Sequence, residues 1–155
     1  MILDIGCGIN PRGHINTDIQ AKENYEITQL GKIEMNPKTT PNFIICSGEF
    51  LPFRNRTFEL VYSHHVIEHV NKPHLFLSEC KRVSDFKIII VCPHRYGKNA
   101  YGKNAIFHKH VFSSLSWKNT DFSVKTISNY RCFPSKFIPL IKMPDEWTIE
   151  FYRRR

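Results

Sequence analysis

The chain has 155 residues, of which 41% are hydrophobic and 23% charged, and its formal net charge is +8. This length and composition predict one globular domain over residues 1–155. No apolar run reaches the roughly 18 residues that a membrane-spanning helix needs, which excludes that class of protein. The first residues carry no basic segment before their apolar stretch, so we expect no signal peptide and a cytoplasmic protein.

The cysteines bear on the compartment of the protein, and the net charge bears on its binding partners. The five cysteines are scattered and none has C-x-x-C spacing, so we expect buried thiols in a reducing compartment. The positive excess can attract nucleic acid, anionic lipid or acidic metabolites. It is equally consistent with a merely basic surface, so it leaves the partner open.

Short apolar segments bounded by glycine, proline and polar loops predict strands along the chain. Ile2–Ile5 runs into Gly6–Gly8, a pattern typical of a buried strand that ends in a tight turn. The continuous apolar run Lys87–Pro93 favours a central parallel strand covered on both faces. In chain order, the predicted strands are Ile2–Ile5, His14–Ile19, Phe43–Cys46, Phe58–Ser63, Lys87–Pro93, Phe122–Ile127 and Trp147–Tyr152, the last inserted antiparallel.

Helical spacing occurs between several of these strands. Val66, Ile67 and Val70 have this spacing after the fourth strand, and a second helix is predicted from Pro73 to Val83. Strands that alternate with helices predict an α/β domain with a mostly parallel sheet. Weaker predictions are some helical character in residues 20–32, a half-helix over Val111–Lys118, and a mobile basic loop over the duplicated pentapeptides Tyr96–Ala100 and Tyr101–Ala105.

Candidate ligand-binding residues follow the first two strands. Ligands of open α/β sheets bind beyond the carboxyl ends of the strands, where glycines let them approach the backbone. Asp4-Ile5-Gly6-Cys7-Gly8 has this placement, although a simple tight turn explains it equally well. Asp18 ends the second strand, where an acidic residue can accept the ribose hydroxyls of an adenosine cofactor or act as a turn residue.

Further segments extend this pattern, and the full series is Leu3–Gly8, Asp18, Leu51–Phe53, Thr57–Val61, His65–His69 and Phe76–Val83. In order and spacing, this series resembles class I S-adenosylmethionine (SAM)-dependent methyltransferases, particularly the type 11 group. The resemblance covers roughly residues 2–120 and implies a Rossmann-like α/β fold with a mostly parallel central sheet, an antiparallel C-terminal strand and helices on both faces.

The resemblance also implies a cofactor, SAM, and the residues that would hold it. The backbone of Gly6, Cys7 and Gly8 would pack against its methionine part, and Asp4 would help to hold the ammonium. Asp18 would bind the ribose. By the same resemblance, Ser47, Gly48 and Glu49 would line the adenine, and Ser63 and His64 would border the methyl-transfer site.

Three departures from the family pattern are visible. Asn10 stands where a third glycine is common, and Ser47 replaces an adenine-binding aspartate. The sequence also begins at the first strand, without the helix that usually precedes it. We therefore expect exposed apolar sheet surface, which favours a homodimer or a partner subunit.

Histidines are the candidate general bases, because methyl transfer to a hydroxyl or an amine requires loss of a proton near neutral pH. His65 ranks first and His94 second, and His69 is a third candidate that could instead cap or pack a helix. His108-Lys109-His110 has a spacing that can suggest a metal. No cysteine or acidic residue near it in the sequence completes a ligand set, so we predict no metal.

The favoured function is therefore methyl transfer from SAM to an acceptor that is a small molecule or a glycan-type metabolite. One alternative is methylation of RNA or protein, which the basic charge and the basic loop with Lys98 and Lys103 would serve. Another is a catalytically inactive binding subunit. A dinucleotide-dependent oxidoreductase ranks last, because positions 6, 8 and 11 are Gly6, Gly8 and Pro11 rather than three glycines.

Overall fold

The computed structural model describes residues 1–19, 38–95, 108–112, 122–133 and 141–154. The strands within these ranges form one sheet in the order β3-β2-β1-β4-β5-β7-β6. The elements are β1 (Ile2–Ile5), β2 (Ile15–Asp18), β3 (Phe43–Ile45), β4 (Phe58–His64), α1 (Pro73–Val83), β5 (Ser84–Pro93), β6 (Phe122–Phe133) and β7 (Ile141–Arg153).

Strands β1 to β4 are parallel to all their neighbours and β5 is parallel to β4, whereas β7 lies antiparallel between β5 and β6. The predicted α/β architecture, with a mostly parallel sheet and an antiparallel C-terminal strand, is confirmed. The order reverses at β1, with β2 and β3 on one side and β4 and β5 on the other. Ligands of such sheets bind beyond the carboxyl ends of the strands at this switch point.

The late strands are longer than predicted. Pairing of β7 with β5 ends at the pair Pro93 and Glu146, whereas its pairing with β6 continues to Phe133 and Ile141. Pro144 lies in this extension, beside a register irregularity in β6 at Asn129 and Tyr130, where the missing N–H of proline is tolerated. The prediction stopped early because the alternating pattern is lost there.

The predicted helix over Val66, Ile67 and Val70 is wrong. These residues form turns, in which the Val66 carbonyl accepts the N–H of His69. His65 has φ +55°, outside the right-handed helical region. The carbonyl of Glu68 accepts N–H groups of the distant segment 108–110 instead of one a helical turn ahead.

Helix α1 begins as predicted, with Pro73 in its first turn. Phe76, Cys80 and Val83 are fully buried at helical spacing, so one face packs on the sheet. Lys81 and Arg82 in the last turn complement the helix dipole. The core joins this face to the central strands and the β6–β7 hairpin through Leu3, Ile5, Val61, Ile88, Ile90, Phe122, Ile149 and Phe151.

Several predictions lie outside the described residues: the helical character of 20–32, the duplicated loop with Lys98 and Lys103, and positions 113–118 of the predicted half-helix. The prediction of helices on both faces of the sheet can therefore be examined only through α1. Phe112, within the half-helix prediction, instead forms a parallel bridge with His94. In the described part of the chain, no helix has the length and apolarity needed to cross a membrane.

Candidate active site

The loop after β1 is held against the end of β2 through its backbone. The N–H groups of Gly6 and Cys7 both donate to the carbonyl of Thr17, at 2.7 and 3.0 Å. Gly6 and Gly8 have φ +69° and +50°, which glycine adopts without strain. A Cβ on Gly6 would lie 2.2 Å from Cγ2 of Val66, whereas one on Gly8 would meet no described atom within 4 Å. The loop is therefore packed below Gly6 and open at Gly8.

Asp18 lies beside this loop, as predicted. Its side chain is nearly buried, and its Oδ2 accepts the N–H of Gly8 at 3.2 Å. Its backbone carbonyl accepts the N–H of Cys46 at 3.0 Å, which ties β2 to the segment after β3. The carboxylate that would bind a ribose thus borders the glycine that has open space beside it.

Asp4 is only 2% exposed, and its Oδ2 accepts the backbone N–H of Arg12 at 2.8 Å. Burial raises the pKa of Asp4, and the hydrogen bond and charge of Arg12 oppose this shift. The Arg12 guanidinium donates to the hydroxyl of Tyr62 at 2.7 Å and lies over its ring. Sequence reasoning missed Arg12 and Tyr62, although Tyr62 pairs in register with Asp4 on the neighbouring strand.

The predicted adenine-lining residues form a tight turn after β3. The N–H of Glu49 donates to the Ser47 hydroxyl, and the N–H of Phe50 to the Ser47 carbonyl. A Cβ on Gly48 would lie 2.7 Å from the ring of Phe76, so the turn can pack on α1 only with glycine there. The carboxylate of Glu49 accepts the backbone N–H of Lys72 at the start of α1.

Cys7 is buried in the same region. Burial, followed by the charges of Asp18 and Asp4, raises the pKa of the Cys7 thiol to about 12. The thiol therefore stays protonated near neutral pH and is a poor nucleophile. This agrees with the role that the resemblance gives to the Cys7 backbone.

The end of β4 carries Ser63 and His64. Ser63 is fully buried, and its hydroxyl has no hydrogen-bond partner among the described residues. Burial lowers the pKa of His64, and the neighbouring His65 lowers it further. The rings of His64 and His65 meet edge-on with centroids 4.4 Å apart. His64 is therefore a neutral imidazole at neutral pH.

Both ring nitrogens of His65 are bonded to carboxylates. Nδ1 lies 3.0 Å from Oε1 of Glu68, and Nε2 lies 2.9 Å from Oε1 of Glu146. Burial lowers the pKa of His65, but the hydrogen bonds to Glu146 and Glu68 outweigh it and raise the pKa to about 9. As placed here, His65 is an imidazolium that joins the end of β4 to β7. Its predicted role as the first-choice base is left as a prediction.

We expect this bridge to make stability fall as the pH rises. The folded pKa of about 9 exceeds the ordinary 6.5, so the stabilisation is complete below pH 6.5 and is lost as pH rises through 9. For a side chain one-quarter exposed, we expect a loss of about 2 kcal/mol. Urea unfolding across this range should show a steeper decline for the wild type than for His65→Asn, a variant that tolerates the positive φ. Parallel curves would contradict the assignment.

The other two candidate bases are placed differently. His94 is nearly buried, and its ring packs on Trp147 with centroids 4.4 Å apart. Burial, followed by the charge of Arg95, lowers the pKa of His94. His69 is 41% exposed, and its ring packs edge-on against His108 at 4.7 Å. Their predicted catalytic roles also stay predictions.

The strand order, the glycine loop after β1 and the acidic residue at the end of β2 define the class of Rossmann-like methyltransferases. The chain belongs to the methyltransferase domain family of type 11, whose sequence model matches residues 3–85. This confirms the resemblance found in the sequence.

Solved structures of methyltransferases share the fold. A SAM-dependent methyltransferase from Thermotoga maritima is 17% identical with a TM-score of 0.67, and the match covers 99% of this chain and 82% of that one. One from Methanosarcina mazei is 17% identical with a TM-score of 0.58, covering 98% and 91%. Magnesium protoporphyrin IX methyltransferase from Synechocystis, solved with bound SAM, is 15% identical with a TM-score of 0.56, covering 99% and 70%. No curated protein matches the sequence.

Proposed function

We propose that this protein is an active SAM-dependent methyltransferase that methylates a hydroxyl or an amine of a small molecule or a glycan-type metabolite. The observation that carries the proposal is the meeting of three features at one edge of the sheet. These features are the open backbone at Gly8, the Asp18 carboxylate that accepts its N–H, and the Ser63 hydroxyl at the end of the adjacent β4, which has no partner among the described residues.

The described residues fit SAM on chemical grounds. A buried hydroxyl without a partner is costly, and a polar ligand group at the end of β4 would satisfy it. Exposed apolar side chains at and after the ends of β2 and β3 offer a surface for the adenine: Ile19 is 65%, Ile45 60% and Phe50 70% exposed. In this proposal the Asp18 carboxylate accepts the ribose hydroxyls. When bound, SAM supplies a methyl group that is already activated by its sulfonium.

We assign the role of general base, which removes the proton of the acceptor, to His64 rather than to His65. A general base needs a neutral ring near the operating pH. His64 has that property, and the fixed charge of His65 beside it helps to keep it neutral. His65, held by Glu68 and Glu146, positions this end of β4. The remaining requirement is to hold the acceptor in line with the methyl group and exclude water.

The cofactor site can be tested by calorimetric titration of the purified protein with S-adenosylhomocysteine. We expect micromolar binding by the wild type and a loss of at least about tenfold in Asp18→Ala, since a hydrogen bond to a charged group contributes about 1.5–3 kcal/mol. Asp85→Ala is the matched control, because this exposed aspartate lies at the opposite, amino end of β5. Equal affinity in the two variants would remove Asp18 from the site.

Absence of binding to the folded wild type would overturn the stand-alone enzyme and support the alternative of a binding subunit. The net charge of +8 favours RNA as a second candidate acceptor. An RNA acceptor predicts that the Michaelis constant rises steeply with salt, whereas a small neutral acceptor predicts little change. The two acceptor classes can therefore be separated once turnover is measured.

A further inference from the structure

A second cluster of ligand-type side chains lies beside the methyl-transfer edge, and the segment 108–112 completes it. The N–H groups of Lys109 and His110 donate to the Glu68 carbonyl at 2.8 and 3.2 Å. The His110 ring bonds to the carbonyl of Val70 at 3.0 Å. These contacts dock the segment on the turn after β4 and place the ring of His108 against that of His69.

Glu68 is the unusual member of this cluster. Its side chain is only 1% exposed, and its Oε1 is bonded to His65. Its Oε2 is buried and has no hydrogen-bond partner among the described residues. A buried carboxylate oxygen without a partner is unfavourable, and a cation beside the carboxylate would offset that cost.

The neighbours of Glu68 are metal-ligand types. A carboxylate oxygen of Glu68 and ring nitrogens of His69 and His108 all lie within 4.8 Å of one another. Ligand atoms about 2.1 Å from a tetrahedral ion stand about 3.4 Å apart, so binding would draw these atoms, which lie within 4.8 Å of one another, closer together. The prediction of no metal depended on the lack of a nearby acidic residue, and the fold supplies one from 40 positions earlier in the chain.

A neighbouring group, His64, His65 and Glu146, is similarly compact but is chemically unsuited. Both nitrogens of His65 are already bonded to carboxylates, so this histidine has none to offer. In the Glu68 cluster, His65 instead forms a hydrogen bond to Oε1 of Glu68, and hydrogen bonds of this kind commonly orient carboxylates that bind metals.

We propose that Glu68, His69 and His108 bind one divalent transition-metal ion, of which Zn²⁺ is the natural example, and leave a coordination position open. Two imidazoles and a carboxylate suit Zn²⁺ and similar ions, and three protein ligands with an open position are typical of catalytic sites. An ion here would lie beside the end of β4, where it could hold an acceptor hydroxyl and ease loss of its proton. That last role rests on the proposed function, whereas ion binding does not.

The test is calorimetric titration of the EDTA-treated, dialysed full chain with Zn²⁺, and with Co²⁺ followed by absorption. We expect one equivalent of Zn²⁺ to bind. Loss of an outer-shell partner costs about 10–100-fold in metal affinity, so His69→Ala and His108→Ala should each lose at least about 100-fold. His74→Ala is the matched control, because His74 is an exposed histidine on α1 that is not among the proposed ligands.

Each outcome bears on the proposal. Retained binding in His74→Ala, loss in the two ligand variants and no near-ultraviolet thiolate–cobalt band would support it, provided that circular dichroism shows folded variants. A folded wild type that binds no Zn²⁺ would overturn it. So would affinity lost in His64→Ala but kept in His108→Ala, or a thiolate band that places the ion on a cysteine. Because these readouts use the metal alone, they stand apart from S-adenosylhomocysteine binding.

Discussion

Gly6→Ala is expected to lower the free energy of unfolding by about 3–4 kcal/mol, the sum of a left-handed backbone and an overpacked contact. Gly6 has φ +69°, and its new methyl group would lie 2.2 Å from Cγ2 of Val66. Because Gly6 donates to Thr17 at 2.7 Å, the loop cannot move aside without losing that bond. Urea denaturation monitored by circular dichroism gives the measurement.

Gly8→Ala is the matched control for this prediction. Gly8 also has a positive φ, +50°, but its added Cβ would meet nothing described within 4 Å. We expect a cost of about 1–2 kcal/mol for the backbone conformation alone. In a Val66→Ala background, the nearest remaining Val66 atom is Cβ at 3.3 Å, so Gly6→Ala should become milder. Equal costs for the two glycines would show that Val66 does not impose the requirement.

Arg82→Ala is expected to lower the free energy of unfolding by about 3 kcal/mol, because it breaks several charge-assisted hydrogen bonds at once. The guanidinium forms a two-pronged pair with Glu79 at 2.6 and 2.7 Å. It also donates to the carbonyls of Leu51 and Phe53, at 2.9 and 2.6 Å. Arg82 thereby fastens the segment after the turn at Ser47–Glu49 to α1. Thermal or urea unfolding measures the loss.

Arg82→Lys keeps the charge but not the planar fork, so it should recover only part of this stability. Arg54→Ala, which removes an exposed arginine from the same loop, should cost less than about 0.5 kcal/mol. If Arg82→Lys matched the wild type, charge alone would account for the effect. If Arg54→Ala were as harmful as Arg82→Ala, general loss of positive charge would be the cause.

The sequence predicted the fold well where local pattern and burial agree. Buried runs such as Ile2–Ile5 became strands, and the spacing of Phe76, Cys80 and Val83 placed α1. It failed at Val66–Val70, where helical spacing competed with a left-handed His65 and with a distant segment that takes the Glu68 carbonyl. Neither competitor is visible in a local window.

In the candidate site, too, local contacts were predictable and long-range contacts were not. Gly6, Gly8 and Asp18 come from two adjacent strands, so strand order alone was enough to bring them together. The acceptor side depends on long-range contacts: Glu146 bonds to His65 across 81 positions, and His108 meets His69 through a docked segment. Composition and spacing identify the histidines as candidates. Only the fold determines which histidine is charged, which is neutral and which ones contact a carboxylate.

The separation of 81 positions between His65 and Glu146 also affects the order in which contacts can form while the chain is being synthesised. On the ribosome, the glycine loop and Asp18 emerge before the later strands and lie only ten positions apart, so their contact can form early. The carboxylate that fixes His65 emerges only when nearly all of the strands have been made. A growing chain therefore contains the residues predicted to bind the cofactor well before the carboxylate that fixes His65 is added.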